Sequence, residues 1–101
     1  MKRRARVRAS TVEPVSIIQI YARDGRRCHL CLGRMDKADR SIDHLIPVCR
    51  GGAHARWNLM AAHLACNKRR GTRQILPTET KEAAEQYVAD RLAAYAREAA
   101  A

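Results

Sequence analysis

Two short spacings, Cys28-x-x-Cys31 and His63-x-x-Cys66, constrain this chain more than any other feature. Two residues between ligands let one turn present both side chains to a single ion. Two such turns can close a tetrahedron of three thiolates and one imidazole around Zn²⁺. The composition explains why a clamp is needed. The chain has 101 residues and is 47% hydrophobic, but 18 residues are Ala, none is Phe, and the aromatics are Tyr21, Trp57, Tyr87 and Tyr95. A chain this short, with so few large side chains, buries too little apolar surface to be secure without a staple. The same residues also admit a Cys28–Cys31 redox pair or buried inert thiols, but a redox pair leaves His63 and Cys66 unexplained. Four protein ligands leave no open position for water, so this zinc reads as structural. Cys49 stands outside both half-sites and reads as a small buried hydrophobe. His29 and His54 read as exposed polar residues.

The length fits one small domain and excludes a two-domain enzyme, a Rossmann domain or a barrel. No run approaches the 18 apolar residues of a membrane-spanning helix, so no membrane partner is expected. The basic start is not followed by an apolar core, so it does not read as a secretory signal, although its Arg-rich, acid-poor character leaves a transit peptide open. The expectation is a reducing, cytoplasmic compartment, where Cys near His favours metal over disulfide.

The formal charge of +10 is unevenly placed. Residues 1–73 hold 17 basic and 5 acidic side chains, while residues 74–101 hold 3 and 5. Counterion release from phosphates drives basic surfaces onto nucleic acid, so DNA is the expected partner. A merely soluble cationic surface or an anionic-membrane binder would share this charge. Residues 1–12 read as a basic flexible arm whose Lys2, Arg3, Arg4, Arg6 and Arg8 order on a phosphate backbone. Residues 13–73 read as the main domain and 74–101 as an appended amphipathic helix.

Periodicity fills in the elements. A helix is expected over 14–24, opened by Pro14, with Val15, Ile18 and Tyr21 near one face, Ile17 beside them and Gly25 as its stop; Ile20 sits off that stripe, so the apolar face reads as broad and buried. Residues 41–47 alternate like a strand, placing Ile42, His44 and Ile46 opposite Asp43 and Leu45. Arg50-Gly51-Gly52 breaks into a loop. Residues 58–63 suit a second short strand despite poor strand propensity, and 64–70 a helix ending at Gly71. The last helix, about 79–100, carries Ala84, Val88, Leu92 and Tyr95 as a stripe that docks on the domain or on a partner. The fold class is α+β with a metal-stapled centre.

Between the half-sites lie Asp43-His44 and Asn58, with Asn67 beside the last soft ligand. Asp43 offers a hard oxygen to a divalent cation. His44 faces the other way on a strand and is free to take a proton from water. Asn67 adds an amide oxygen, and Lys68, Arg69, Arg70 and Arg73 can hold a phosphate chain.

The stretch from Arg23 to Gly71 resembles the HNH endonuclease motif, with D-H-x-I-P, a Gly-Gly turn, W-N-L and C-N-K-R-R-G. His63-x-x-Cys66 departs from the commoner CxxC, and Asn67 makes this an H-N-N variant. The resemblance covers about half of the chain. It implies a ββα-metal (His-Me finger) core with structural zinc, flanked by the N-terminal and C-terminal helices. It implies that Asp43 and Asn67 bind catalytic Mg²⁺ or Mn²⁺, that His44 is the general base, and that Asn58 orients either the loop or the His44 ring. The implied activity is low-specificity DNA phosphodiester hydrolysis, by nicking or double-strand cleavage. Phage members are often encoded near packaging machinery, which implies a bacterial host cytoplasm and a packaging partner for the C-terminal helix. A non-catalytic, zinc-stapled DNA-binding module is the alternative.

Overall fold

The computed structural model describes residues 13–100; the basic arm, with Lys2, Arg3, Arg4, Arg6 and Arg8, lies outside the described residues. Helix α1 spans Ile17–Arg23, strand β1 Arg40–His44, strand β2 Leu59–His63, helix α2 Leu64–Arg70 and helix α3 Lys81–Ala100. Two single 3₁₀ turns, Val48–Arg50 and Arg56–Asn58, lie in the loop between the strands. The strands pair antiparallel from Arg40 opposite His63 to His44 opposite Leu59. Helix α2 follows β2 without a linker, and its first amide donates to Asp39 O at 2.7 Å.

Helix α1 starts later than Pro14 suggests, because Ser16 caps it. The Ser16 hydroxyl accepts from Gln19 N, and the Gln19 side chain accepts from Ser16 N, a reciprocal capping box. Val15 and Tyr21 are buried as expected, and the broad face departs from expectation only at Ile18. Ile20 is 1% exposed, whereas Ile18 is 60% exposed. Asp24 closes the helix and is itself buried, and its Oδ2 accepts from Ala61 N of β2 at 2.7 Å. One carboxylate thereby fastens the helix to the sheet.

Strand β2 is buried on both faces, which is how a two-stranded sheet becomes stable here. On one side Leu59 and Ala61 join Val15, Ile20, Tyr21, Cys28 and Met35. On the other, Met60 joins Leu45, Ile46, Leu76, Ala84 and Val88, with Leu92 and Tyr95 packed against them. The α3 stripe is therefore seated on its own domain. Leu92 and Tyr95, at the edge of that stripe, stay partly exposed. No described helix is long and apolar enough to cross a membrane.

The loop after β1 is drawn tight by Asn58, which is fully buried. Its Oδ1 accepts from Ile46 N at 2.8 Å, and its Nδ2 donates to Ile46 O and Ala53 O. A Cβ at Gly52 would stand 1.7 Å from Ile46 O, so only glycine fits where this loop closes. Cys49 lies in the same loop and is exposed, which corrects its reading as a buried hydrophobe.

Candidate active site and metal cluster

Cys28, Cys31, His63 and Cys66 converge so closely that their ligand atoms all lie within 4.8 Å of one another. The first pair comes from the turn after α1, the second from the junction of β2 and α2. His63 Nε2 donates to Arg34 O at 2.9 Å, since a carbonyl can only accept. That bond leaves Nδ1 as the nitrogen with a lone pair, and Nδ1 stands 3.3 Å from Cys31 Sγ and 3.8 Å from Cys66 Sγ. A backbone carbonyl fixing the tautomer of a ligating His is a common support of a metal site. The Gly33 amide donates to Cys31 Sγ and holds that thiol below its ordinary pKa. Burial, with the neighbouring Cys28 thiol, pushes Cys66 up to about 11. Three crowded thiols resist ionising together unless a soft cation compensates them, so this donor set suits Zn²⁺.

The second cluster lies at the far end of β1. A cleft of about 190 Å³ is lined by Asp43, His44, Asn67 and Arg70, with Pro47 and Val48 at its edge. The acid, the imidazole and the carboxamide expected to work together therefore share one cleft. Asn67 Nδ2 donates to Ser41 Oγ and Ile42 O, both at 3.1 Å. Its Oδ1 has no hydrogen-bond partner among the described residues. The side-chain hydrogen bonds of Asn58 go to Ile46 and Ala53 of the loop and, among the described residues, none goes to the His44 ring.

Asp43 is more enclosed than the sequence suggests, at 3% exposure. Its Oδ1 accepts from Arg70 Nη1 at 2.7 Å and its Oδ2 from His29 Nε2 at 2.8 Å. His29 is fully buried, not exposed as expected, because its ring bridges two elements. Arg91 Nη2 donates to the Tyr87 hydroxyl at 3.1 Å, the hydroxyl donates to His29 Nδ1 at 2.9 Å, and Nε2 donates to Asp43. Helix α3 thus reaches the acid through the first Cys turn.

Arg70 is also corrected. It is 3% exposed and donates to Asp43, His44 O, Leu45 O and Arg73 O, so it is a buried brace and not a phosphate contact. Position on the helix decides this. Asn67 and Arg70 stand three apart and face β1, while Lys68, Arg69 and Arg73 are exposed.

His44 is half-buried, and burial holds its imidazole below the ordinary pKa, with His54 lowering it further. His44 Nε2 stands 3.2 Å from His54 Nδ1. His54, read from sequence as an exposed polar residue, is partly buried against the ring it pairs with.

The family model of the HNH endonucleases matches residues 28–73. The match spans 46 of the 101 residues, and it is this segment that is similar to an HNH endonuclease domain. Its β1–β2 hairpin, α2 and Cys/His cluster fit the ββα-metal fold. A comparison with curated proteins finds no match.

Proposed function

We propose that this protein is a metal-dependent DNA endonuclease that hydrolyses phosphodiester bonds with low sequence specificity. The observation that carries this reading is the single cleft in which β1 presents Asp43 and His44 and α2 presents Asn67. Asn67 Oδ1 is unpartnered among the described residues. Each Asp43 oxygen accepts one hydrogen bond and keeps a second acceptor direction. One carboxylate and one amide oxygen, with water and substrate phosphate completing the shell, suit Mg²⁺ or Mn²⁺. When bound there, that ion would supply Lewis-acid stabilisation of charge on the phosphoryl oxygens and the leaving 3′-oxygen. His44, kept neutral by burial, takes the proton of the attacking water. The products carry 5′-phosphate and 3′-hydroxyl ends. Exposed Lys68, Arg69 and Arg73 hold the phosphate backbone, which positions DNA without reading bases.

The test is supercoiled plasmid incubated with the protein and a panel of divalent ions. The parental protein nicks or linearises it, and His44→Ala slows cleavage by about 10²–10⁴-fold while the domain stays folded. A His44→Ala protein that cuts at the parental rate overturns the assignment of the base. One observation favours a second reading. Both Asp43 oxygens already serve Arg70 and His29, as a purely structural acid would. A protein that retards DNA but cuts with no ion is that zinc-stapled binding module.

A further inference from the structure

The histidine pair at the cleft carries more than proximity. Val15 O lies 3.3 Å from His54 Nε2 and can only accept, so that nitrogen bears hydrogen. In a neutral His54 ring, Nδ1 then holds the lone pair. The atom facing it at 3.2 Å is His44 Nε2, which must therefore bear hydrogen and donate. The remaining nitrogen of His44, Nδ1, has no hydrogen-bond partner among the described residues. The rings are 5.3 Å apart between centroids and tilted by 42°, so they meet edge-on through nitrogen and do not stack.

The backbone around His54 is held from two sides. Its carbonyl accepts from Glu13 N at 2.8 Å, and the preceding carbonyl, Ala53 O, accepts from Asn58 Nδ2 at 2.9 Å. The loop clasp of Asn58 thus sets where the second imidazole stands. We propose that His54 is a positioning residue that fixes the ring and tautomer of His44, leaving His44 Nδ1 as the nitrogen that takes the proton from water. This rests on the endonuclease reading for its consequence, but the tautomers can be tested without any cleavage.

The first measurement is a long-range ¹H–¹⁵N correlation spectrum of the imidazole rings in the intact parental protein. Both His44 and His54 are expected with protonated Nε2 and bare Nδ1. In His54→Ala, His44 is expected to relax into a mixture of tautomers. The second measurement is plasmid cleavage. His54→Ala is expected to lower kcat by roughly 100-fold with little change in KM, as misplacement of a catalytic group does. His54→Asn offers an oxygen acceptor near the Nδ1 position and is expected to recover most of that loss. A parental spectrum with hydrogen on His44 Nδ1 overturns the proposal, and so does His54→Ala cutting at the parental rate. Loss in His54→Asn equal to that in His54→Ala overturns it too, because no acceptor is then needed. If the parental protein shows these tautomers but cleaves nothing, the endonuclease reading fails and the ring pairing stands.

Discussion

The soft-donor cluster and the cleft at the end of β1 are built on opposite plans. At the first, four donors converge within 4.8 Å and face one another, with the Gly33 amide, Arg34 O and Arg69 bonding them from outside. At the second, each oxygen of the acid already accepts one hydrogen bond from a protein group before any ion arrives, Asp43 from Arg70 and His29. The first arrangement crowds three thiols whose ionised forms a soft cation would compensate. The second is pre-organised, with its acid, base and amide held by hydrogen bonds that do not depend on an ion. Stability should therefore depend on the metal at one end, and turnover on fixed side-chain geometry at the other.

The largest effect tests the first half of that contrast. Cys31→Ser, or removal of zinc by a chelator, should abolish the cooperative melt. Binding of structural zinc contributes apparent free energies of about 10–16 kcal/mol in small zinc domains, and here it would act on a thin core. Circular dichroism during a thermal scan reads this directly. A melt unchanged by chelator would show that the four donors are held by the fold alone, and the contrast would collapse.

The two plans also differ in how far they can be read from sequence. The soft donors are local pairs, with two residues between the ligands of each half, so spacing announces them. Helix α2 and its stop at Gly71 are equally local, and so is the i, i+4 stripe of Ala84 and Val88. The partners of the cleft are not local. His29 meets Asp43 across 14 residues and Tyr87 across 58. Nothing in the neighbourhood of His29 distinguishes a buried bridge from an exposed polar residue. In the run Lys68-Arg69-Arg70 the three cations have the same charge, and only helical phase separates the buried one from its neighbours. That phase is legible in the sequence, since Arg70 falls three residues after Asn67. In α1 the ambiguity is of another kind. Ile17, Ile18 and Ile20 are equally apolar, and the choice among them follows from where Ser16 starts the helix and what the sheet presents. His54 had one signal, its place just beyond a Gly-Gly turn whose ends must meet.

A smaller effect should follow at Arg70. Removing one partner of a buried ion pair typically costs about 3–5 kcal/mol, because the other charge is left uncompensated. Arg70→Ala also leaves His44 O and Leu45 O without their donor. Urea unfolding should show the loss in the presence of zinc, where the first cluster is intact. If Arg70 were a phosphate contact instead, stability would hold and the salt dependence of DNA binding would become shallower by about one ion. The two outcomes are exclusive enough to separate brace from backbone contact.

The smallest effect belongs to Tyr87, the point where α3 touches the cleft's polar network. Tyr87→Phe keeps the ring, which packs edge-on to His29 at 5.5 Å between centroids, and removes only the hydroxyl. His29 Nδ1 then loses its donor and Arg91 its acceptor. A lost buried hydrogen bond of this kind costs about 1–3 kcal/mol. Most of that loss should appear as stability, with a lesser fall in cleavage as Asp43 loosens. Zinc content should not change, although His29 lies between two of the cluster's cysteines, because none of the four donors contacts Tyr87. A fall in zinc content would mean that the two ends of the domain are coupled through His29, and that the division drawn between them is too clean.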